Sequence, residues 1–172
     1  MSDTSDGSAA ETKSPSSENT GQTPQRRRII SHAQYIKDLS FENPRAGHQF
    51  AADNPPKIDI AVSVTRRSIA ENQQQQEVEL KIEAKATLTE EPVFIIELTY
   101  AGRFTIAGVP AEQIEPALLI ECPRLLFPFA RRIIADCCRD AAYPPLMLEP
   151  IDFAQMYMNR RREEGQTPAK TQ

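Results

Sequence analysis

Apolar and polar side chains alternate strictly along two segments, KIDIAVSVT at residues 57–65 and EVELKIEAKATL at residues 77–88. Successive side chains of a β-strand point to opposite faces of the sheet, so this period of two predicts antiparallel strands with one buried and one solvated face. The polar segment ENQQQQ at residues 71–76 lies between them and predicts a hairpin loop. The apolar faces comprise Ile58, Ile60, Val62 and Val64 in the first segment and Val78, Leu80, Ile82, Ala84, Ala86 and Leu88 in the second.

A third segment, PVFIIELTYAGRFTI at residues 92–106, predicts a strand that is apolar on both faces. A strand of this kind has to be covered on both sides. Two interpretations stay open: helices of the same chain cover both faces, or one face meets another subunit or a ligand. Because the helical pattern elsewhere is short, we favour an oligomer interface. One face carries Phe94, Ile96, Leu98 and Tyr100, and the other carries Val93, Ile95 and Glu97.

The period changes to that of a helix in RLLFPFARRIIADCCRD, which begins at Arg124 and is followed by Pro144 and Pro145. Apolar pairs recur every four residues with charges between them, which is typical of an amphipathic helix packed on a core. A shorter stripe in IDFAQMYMNRRRE predicts a second helix with Asp152 as its N-cap. The apolar pairs are Leu125 and Leu126, Phe129 and Ala130, Ile133 and Ile134, and Cys137 and Cys138; the second stripe is Phe153, Met156, Tyr157 and Arg160.

Composition divides the chain of 172 residues into one domain and two tails. The first 25 residues contain no Val, Ile, Leu, Phe, Tyr or Trp, so they offer nothing to offset the entropy of ordering. We predict a disordered N-terminal tail at residues 1–30, a folded domain at residues 31–164 and a disordered C-terminal tail at residues 165–172.

Charge and hydropathy exclude several function classes. The net charge of −4 argues against a nucleic-acid partner, which normally requires a basic face. No apolar run reaches the length of about 20 residues that inserts into and spans a bilayer. Three cysteines, an odd number, without a signal peptide predict reduced thiols and a cytoplasmic protein.

The sequence predicts no catalytic, cofactor or metal site. His32 and His48 have no fixed spacing to cysteines or carboxylates, and no glycine-rich phosphate loop is present. Cys137 and Cys138 are adjacent and cannot grip one metal as a CxxC pair does. On the apolar stripe they are expected to pack as small hydrophobic residues.

Four segments together resemble the bacterial protein-export chaperone family SecB: YIKDLSFENP, FTIAGV, CPRLLFPFARRIIADC and YPPLMLEPIDFAQMYMNR. The resemblance covers about residues 33–162. It implies an α+β fold, with a four-stranded antiparallel sheet that begins with IKDLSFENP, two main helices packed on it, and a dimer of dimers. It also implies an ATP-independent chaperone that uses no cofactor, binds unfolded precursor proteins and delivers them to the motor SecA.

The resemblance also implies three sets of functional residues. One is an acidic surface for the lysine-rich, zinc-bearing C-terminal module of SecA, the second an aromatic client groove, and the third the contacts within a homotetramer. The expected SecA-binding residues are Asp38, Glu42, Ile95 and Glu97; the groove residues are Phe94, Phe129, Phe153 and Tyr157; the interface residues are Ile96, Leu98, Tyr100, Ile133 and Cys137.

Two alternatives to the export chaperone stay open at this point. A SecB-like adaptor for another client, such as an antitoxin, would have the same fold. The second alternative is a small α+β enzyme with an unrecognised site. The chain has more apolar residues than a core needs, which favours a binding protein over an enzyme.

Overall fold

The computed structural model describes residues 26–47, 54–69 and 72–166. Most of the predicted tails and His48 lie outside these residues. The predicted boundary between residues 30 and 31 falls inside the first strand, which begins at Arg28.

Four antiparallel strands form one sheet, as predicted, in the order β1-β4-β3-β2. The two strands that come first in the chain therefore lie at opposite edges, and the later pair fills the centre. β3 and β4 are the strands with the longest apolar patterns, which agrees with their central position. The strands are β1 (Arg28–Glu42), β2 (Lys57–Ile69), β3 (Asn72–Leu88) and β4 (Glu91–Ala107).

The prediction of a hairpin loop at residues 71–76 is wrong, because β3 begins at Asn72. Pairing between β2 and β3 continues past the alternating segments to Ser68 opposite Gln76 and Ile69 opposite Asn72. Main-chain pairing does not require apolar side chains, so a polar run at the end of a long hairpin can extend the ladder.

Helices follow the sheet and pack on one of its faces, here called the helix face. The two predicted helices are present, but the structure adds a helical segment ahead of the first. The helices are α1 (Ala111–Pro116), a π-helical turn (Ala117–Glu121), α2 (Cys122–Asp140) and α3 (Phe153–Gln166). The backbone stays helical from Ala111 to Asp140, and Pro123, which lacks an N–H, comes directly after the π-helical turn that α2 continues.

The core lies between α2 and the two central strands. Of each predicted apolar pair on α2, the second member is fully buried: Leu126, Ala130, Ile134 and Cys138. Ile96 and Leu98 of β4 are also fully buried in this core. The chain's own helix therefore covers this face, and the position of these two residues at a subunit contact stays a prediction.

The second apolar face of β4 proves smaller than the sequence suggests. The β3–β4 register shifts between Ala86 opposite Phe94 and Thr87 opposite Pro92, so Val93 is an extra residue in β4. A bulge of this kind interrupts the alternation of side chains, and Val93 joins the core with no exposed surface.

Candidate functional site

Two adjoining clefts lie on the helix face along the edge strand β2. One has a volume of about 320 Å³ and lies between β2 and α3; the other, about 410 Å³, lies between β2 and residues 147–151. Val62 lines both clefts, so they form one surface, which we call the β2 groove. The groove is lined mainly by Ile60, Val62, Val64, Leu119, Met147, Leu148, Ile151, Met156 and Tyr157.

The groove is bordered by an apolar strip on β2 that the described residues leave partly exposed. Ile58 and Ile60 retain 41% and 47% of their surface, although they share a face with buried Val64. Met147, on the segment opposite, retains 58%. The alternation of Ile58 and Ile60 is visible in the sequence. Their partial exposure is not, because it depends on how far the helical part of the chain extends over β2.

α3 is held against the sheet so that its second turn faces the groove. The Asp152 carboxylate accepts a hydrogen bond from the Gln155 N–H at 3.0 Å, which confirms the predicted N-cap. Phe153 is 1% exposed and packs edge-on against Phe127, with ring centroids 6.1 Å apart. One turn further, Tyr157 is partly exposed and lines the groove.

Arg160 closes one end of the groove. Its Nη1 donates a hydrogen bond to the main-chain oxygen of Val64 at 3.2 Å, and its Nε donates to Glu164 at 2.9 Å. β2 is an edge strand of the described sheet, so this bond ties α3 to that edge.

The structure does not bring the four predicted groove residues together. Phe94 is 5% exposed and packs on Tyr143 with centroids 5.3 Å apart, so it is part of the core, as is Phe153. Phe129 is 47% exposed on α2, and only Tyr157 lies in the β2 groove. The assignment of Phe94, Phe129 and Phe153 to client binding stays a prediction.

The predicted SecA-binding residues do share one surface. Asp38 and Glu42 of β1 are exposed and pair with Thr99 and Ile95 of β4. Glu97 lies two residues after Ile95 in β4, so its side chain points to the same face. All four predicted residues therefore lie on the sheet face opposite the helices, here called the outer face.

The outer face is not uniformly acidic. Lys81 of β3 lies 2.5 Å from Glu83 and 3.6 Å from Glu97, measured from Nζ to the nearest carboxylate oxygen. The hydrogen bond to Glu83 is the main reason that the pKa of Lys81 is raised. The free acidic groups are thus concentrated toward β1, at Asp38 and Glu42.

A network of charged residues links β1 to β3 across the outer face. Lys37 Nζ contacts Glu77 Oε2 at 2.7 Å and Glu79 Oε1 at 2.6 Å, while Tyr35 donates to the other oxygen of Glu77. Burial alone would raise the pKa of Glu77, but the hydrogen bonds from Lys37 and Tyr35 outweigh it and hold that pKa below its usual value. The hydrogen bonds that Lys37 donates, first to Glu77 and then to Glu79, raise the pKa of Lys37.

The first members of the apolar pairs form a separate line along α2: Leu125, Phe129, Ile133 and Cys137, here called the α2 stripe. Leu125 and Phe129 are 45% and 47% exposed, whereas Ile133 is 7% exposed. Phe129 stacks on Tyr100 of β4. Three of the predicted interface residues, Tyr100, Ile133 and Cys137, therefore lie on or beside one half-open apolar strip.

The cysteines are placed for packing. Burial raises the pKa of the Cys122 thiol to about 12 and also raises that of Cys138. Burial and the carboxylates of Asp140 and Asp136 raise the pKa of Cys137. A raised pKa keeps a thiol protonated and unreactive at neutral pH.

Within residues 26–47, 54–69 and 72–166, no cluster of His, Cys, Asp and Glu is arranged to hold a metal ion. His32 bonds to Thr105 Oγ1 at 2.9 Å on the sheet. The helices in the same part of the chain include none that is both long and apolar enough to cross a bilayer.

Residues 22–164 match the family model described as "Preprotein translocase subunit SecB". The chain belongs to the SecB family. A protein-export protein SecB of Xanthobacter autotrophicus is 50% identical over 135 residues, which are 78% of this chain and 85% of the relative. One of Zymomonas mobilis is 50% identical over 132 residues, 77% of this chain and 79% of the relative.

A solved structure supports the SecB fold independently. The SecB-like chaperone of Mycobacterium tuberculosis, in complex with an antitoxin peptide, superposes with a TM-score of 0.61 at 15% identity, over 72% of this chain and 91% of that one. The four-stranded antiparallel sheet with helices on one face is thus the SecB architecture.

Proposed function

We propose that the chain is an ATP-independent protein-export chaperone that holds unfolded precursor proteins in the cytoplasm and delivers them to SecA. The observation that carries this proposal is the β2 groove: an apolar surface that the described residues leave partly open, along an edge strand of the described sheet. Curated relatives at 50% identity are named protein-export proteins, which supports a binding role for this chain.

The groove suits extended, unfolded clients of varied sequence. Burial of apolar side chains is non-directional, so Ile60, Met147 and Tyr157 can accept many different partners. β2 is an edge strand of the described sheet, and an extended client can add main-chain hydrogen bonds there. Each such contact is weak, which suits a chaperone that has to release its client.

A tetramer would compensate for weak single contacts, because several grooves binding one long client raise the effective concentration of each. A dimer of dimers needs two self-complementary surfaces. The described residues offer two: the α2 stripe, and the edge of β1 that pairs with no other described strand, where Ile36 and Leu39 are 48% and 40% exposed. Strand pairing across β1 would satisfy its unpaired main-chain groups.

The outer face is the proposed docking surface for the zinc module of SecA. Asp38 and Glu42 are exposed, carry negative charge and lie on a broad sheet surface beside Ile95. A lysine-rich module would be steered to them by charge and held in register. This surface lies on the opposite side of the sheet from the β2 groove, so client and motor can bind at once.

Light scattering of an unfolded substrate protein, without nucleotide, tests the chaperone role. The wild-type chain should suppress aggregation, and the double variant Ile60→Ser, Tyr157→Ser should need roughly tenfold more protein for the same effect. Met158→Ser is the matched control, since Met158 is 50% exposed on α3 but does not line the groove. Absence of suppression by the wild type would contradict the proposed function.

A further inference from the structure

Lys37 is the extra residue of a β-bulge in the edge strand β1. Ile36 pairs with Tyr100, and Asp38 pairs with Thr99. Two steps along β1 therefore match one step along β4, and Lys37 has no residue opposite it in β4. The bulge inverts the alternation that follows it. Without it, Asp38 would share the helix face with Ile36.

The inversion decides which side chains form the acidic part of the outer face. After the bulge, Asp38 and Glu42 lie on the outer face, while Leu39 and Phe41 lie on the helix face beside Leu98. A shift of one residue in the pairing would exchange the two sets. The acidic surface therefore depends on where this bulge sits.

Lys37 is held by contacts that reach across a whole strand. β4 lies between β1 and β3, yet Lys37 Nζ contacts Glu77 at 2.7 Å and Glu79 at 2.6 Å on β3. The β4 residue opposite Tyr35 and Glu79 is Ala101, which is fully buried. Its short side chain leaves space for the lysine to pass over it.

The two carboxylates are themselves fixed. The side chains of Glu77 and Glu79 are only 14% and 11% exposed, respectively. Tyr35 donates to Glu77, and Arg67 Nε lies 3.3 Å from Glu79. Charge-assisted bonds to such immobile, largely buried groups are stronger and more specific in geometry than exposed ion pairs.

We propose that Lys37 is a positioning residue for docking: it holds the β1 bulge in place and thereby aims Asp38 and Glu42 at the SecA zinc module. This inference rests on the proposed docking role of the outer face. Lys37 itself is a cation on a surface that receives a cationic partner. If it acted only by its charge, its removal would strengthen docking; the positioning role predicts the opposite sign.

Calorimetric titration of the full-length chain with the isolated SecA zinc module separates these two effects. Lys37→Met should weaken binding roughly tenfold, whereas Lys37→Arg, which can bridge both carboxylates, should restore it to within about twofold of wild type. The matched control is Lys85→Met, which removes an equal charge from an exposed lysine paired with Ile95 on the outer face. It should tighten binding by about twofold.

Hydrogen exchange of the free chain gives a second measurement that does not involve the module. Amides of residues 37–41 should exchange on the order of tenfold faster in Lys37→Met and not in Lys85→Met. Lys37→Gln serves in both measurements if Lys37→Met does not fold.

Equal or tighter docking by Lys37→Met would overturn the positioning role, and so would unchanged exchange at residues 37–41. Failure of the wild-type chain to bind the module is a different outcome, because it would remove the docking role of the outer face itself.

Discussion

The ring of Phe129 on α2 stacks on the ring of Tyr100 on β4, with centroids 6.2 Å apart and an interplanar angle of 21°. Tyr100 is 8% exposed beneath it, while Phe129 keeps 47% of its surface. One side of Phe129 is thus fixed by the sheet, and the other side is presented outward as the centre of the α2 stripe. A large, rigid aromatic ring of this kind is typical of an interface contact.

Phe129→Lys should therefore dissociate the oligomer, because it places a charge at the centre of an apolar contact. Sedimentation equilibrium at micromolar concentration should give about four times the 19.3 kDa chain mass for the wild type and at most about half of that for the variant. Met158→Lys, an exposed methionine on α3, is the control and should sediment as the wild type does. An unchanged mass for Phe129→Lys would place the subunit contact elsewhere.

Reversing the charge of three acidic residues on the outer face should abolish docking of SecA. The variant Asp38→Lys, Glu42→Lys, Glu97→Lys should bind the SecA zinc module more than roughly a hundredfold more weakly, with client holding and oligomer mass unchanged. Added salt should slow association of the wild type.

Glu112→Lys with Glu149→Lys provides the control for this docking prediction, since both glutamates are exposed and lie on the helical side of the chain. Calorimetry that finds full affinity in the triple variant would show that the module docks on another surface.

The hairpin of β2 and β3 was predictable because both strands follow a period of two over residues 57–65 and 77–88. The two bulges of β1, at His32 and Lys37, break that period, so the same reasoning recovers only part of the strand. The spacing of three between Ile36 and Leu39 is the one local sign of the second bulge. The family resemblance, and not the alternation, supplied β1 as a strand.

The outer-face residues came from the family resemblance: alternation puts Asp38 and Glu42 on one face, but without the bulge it would place both on the helix face with Ile36. The groove could not be predicted from alternation, because Ile60 and Val64 have the same pattern but 47% and 7% exposure. Which of them is covered depends on where the π-helical turn and α3 lie along β2, and that is set by tertiary packing. The family resemblance implied a groove role for Phe94 and Phe153, but the sequence does not reveal that the core encloses them.

Gly102 of β4 is required by close packing of the core. A Cβ at this position would lie 2.6 Å from Cε2 of Phe104, which is fully buried, and 3.0 Å from Cδ2 of Leu126. Gly102→Ala should lower the free energy of unfolding by about 1 to 3 kcal/mol, measured by urea denaturation at fixed protein concentration. Gly165→Ala, on α3 with nothing within 4 Å, should leave it equal or raise it by up to about 1 kcal/mol.

The network around Glu77 should make stability depend on pH in the acid range. The pKa of Glu77 in the folded chain lies below its usual value of 4.5, because the bonds from Lys37 and Tyr35 outweigh burial. A lowered pKa contributes stability that is present above the unfolded pKa and is lost as the pH falls through the folded one. Glu77→Gln should therefore reduce the free energy of unfolding by about 1 to 2 kcal/mol at pH 7.

The effect of the same substitution should be smaller near pH 3 than at pH 7, because the stability that a lowered pKa contributes declines once the pH falls below the unfolded value. Urea denaturation at both pH values, at one protein concentration, measures the difference. Glu91→Gln changes an exposed glutamate at the start of β4 and should alter stability little at either pH. If Glu77→Gln cost as much at pH 3 as at pH 7, the glutamate would stabilise the sheet through shape and neutral hydrogen bonding, and its ion pair with Lys37 would contribute nothing measurable.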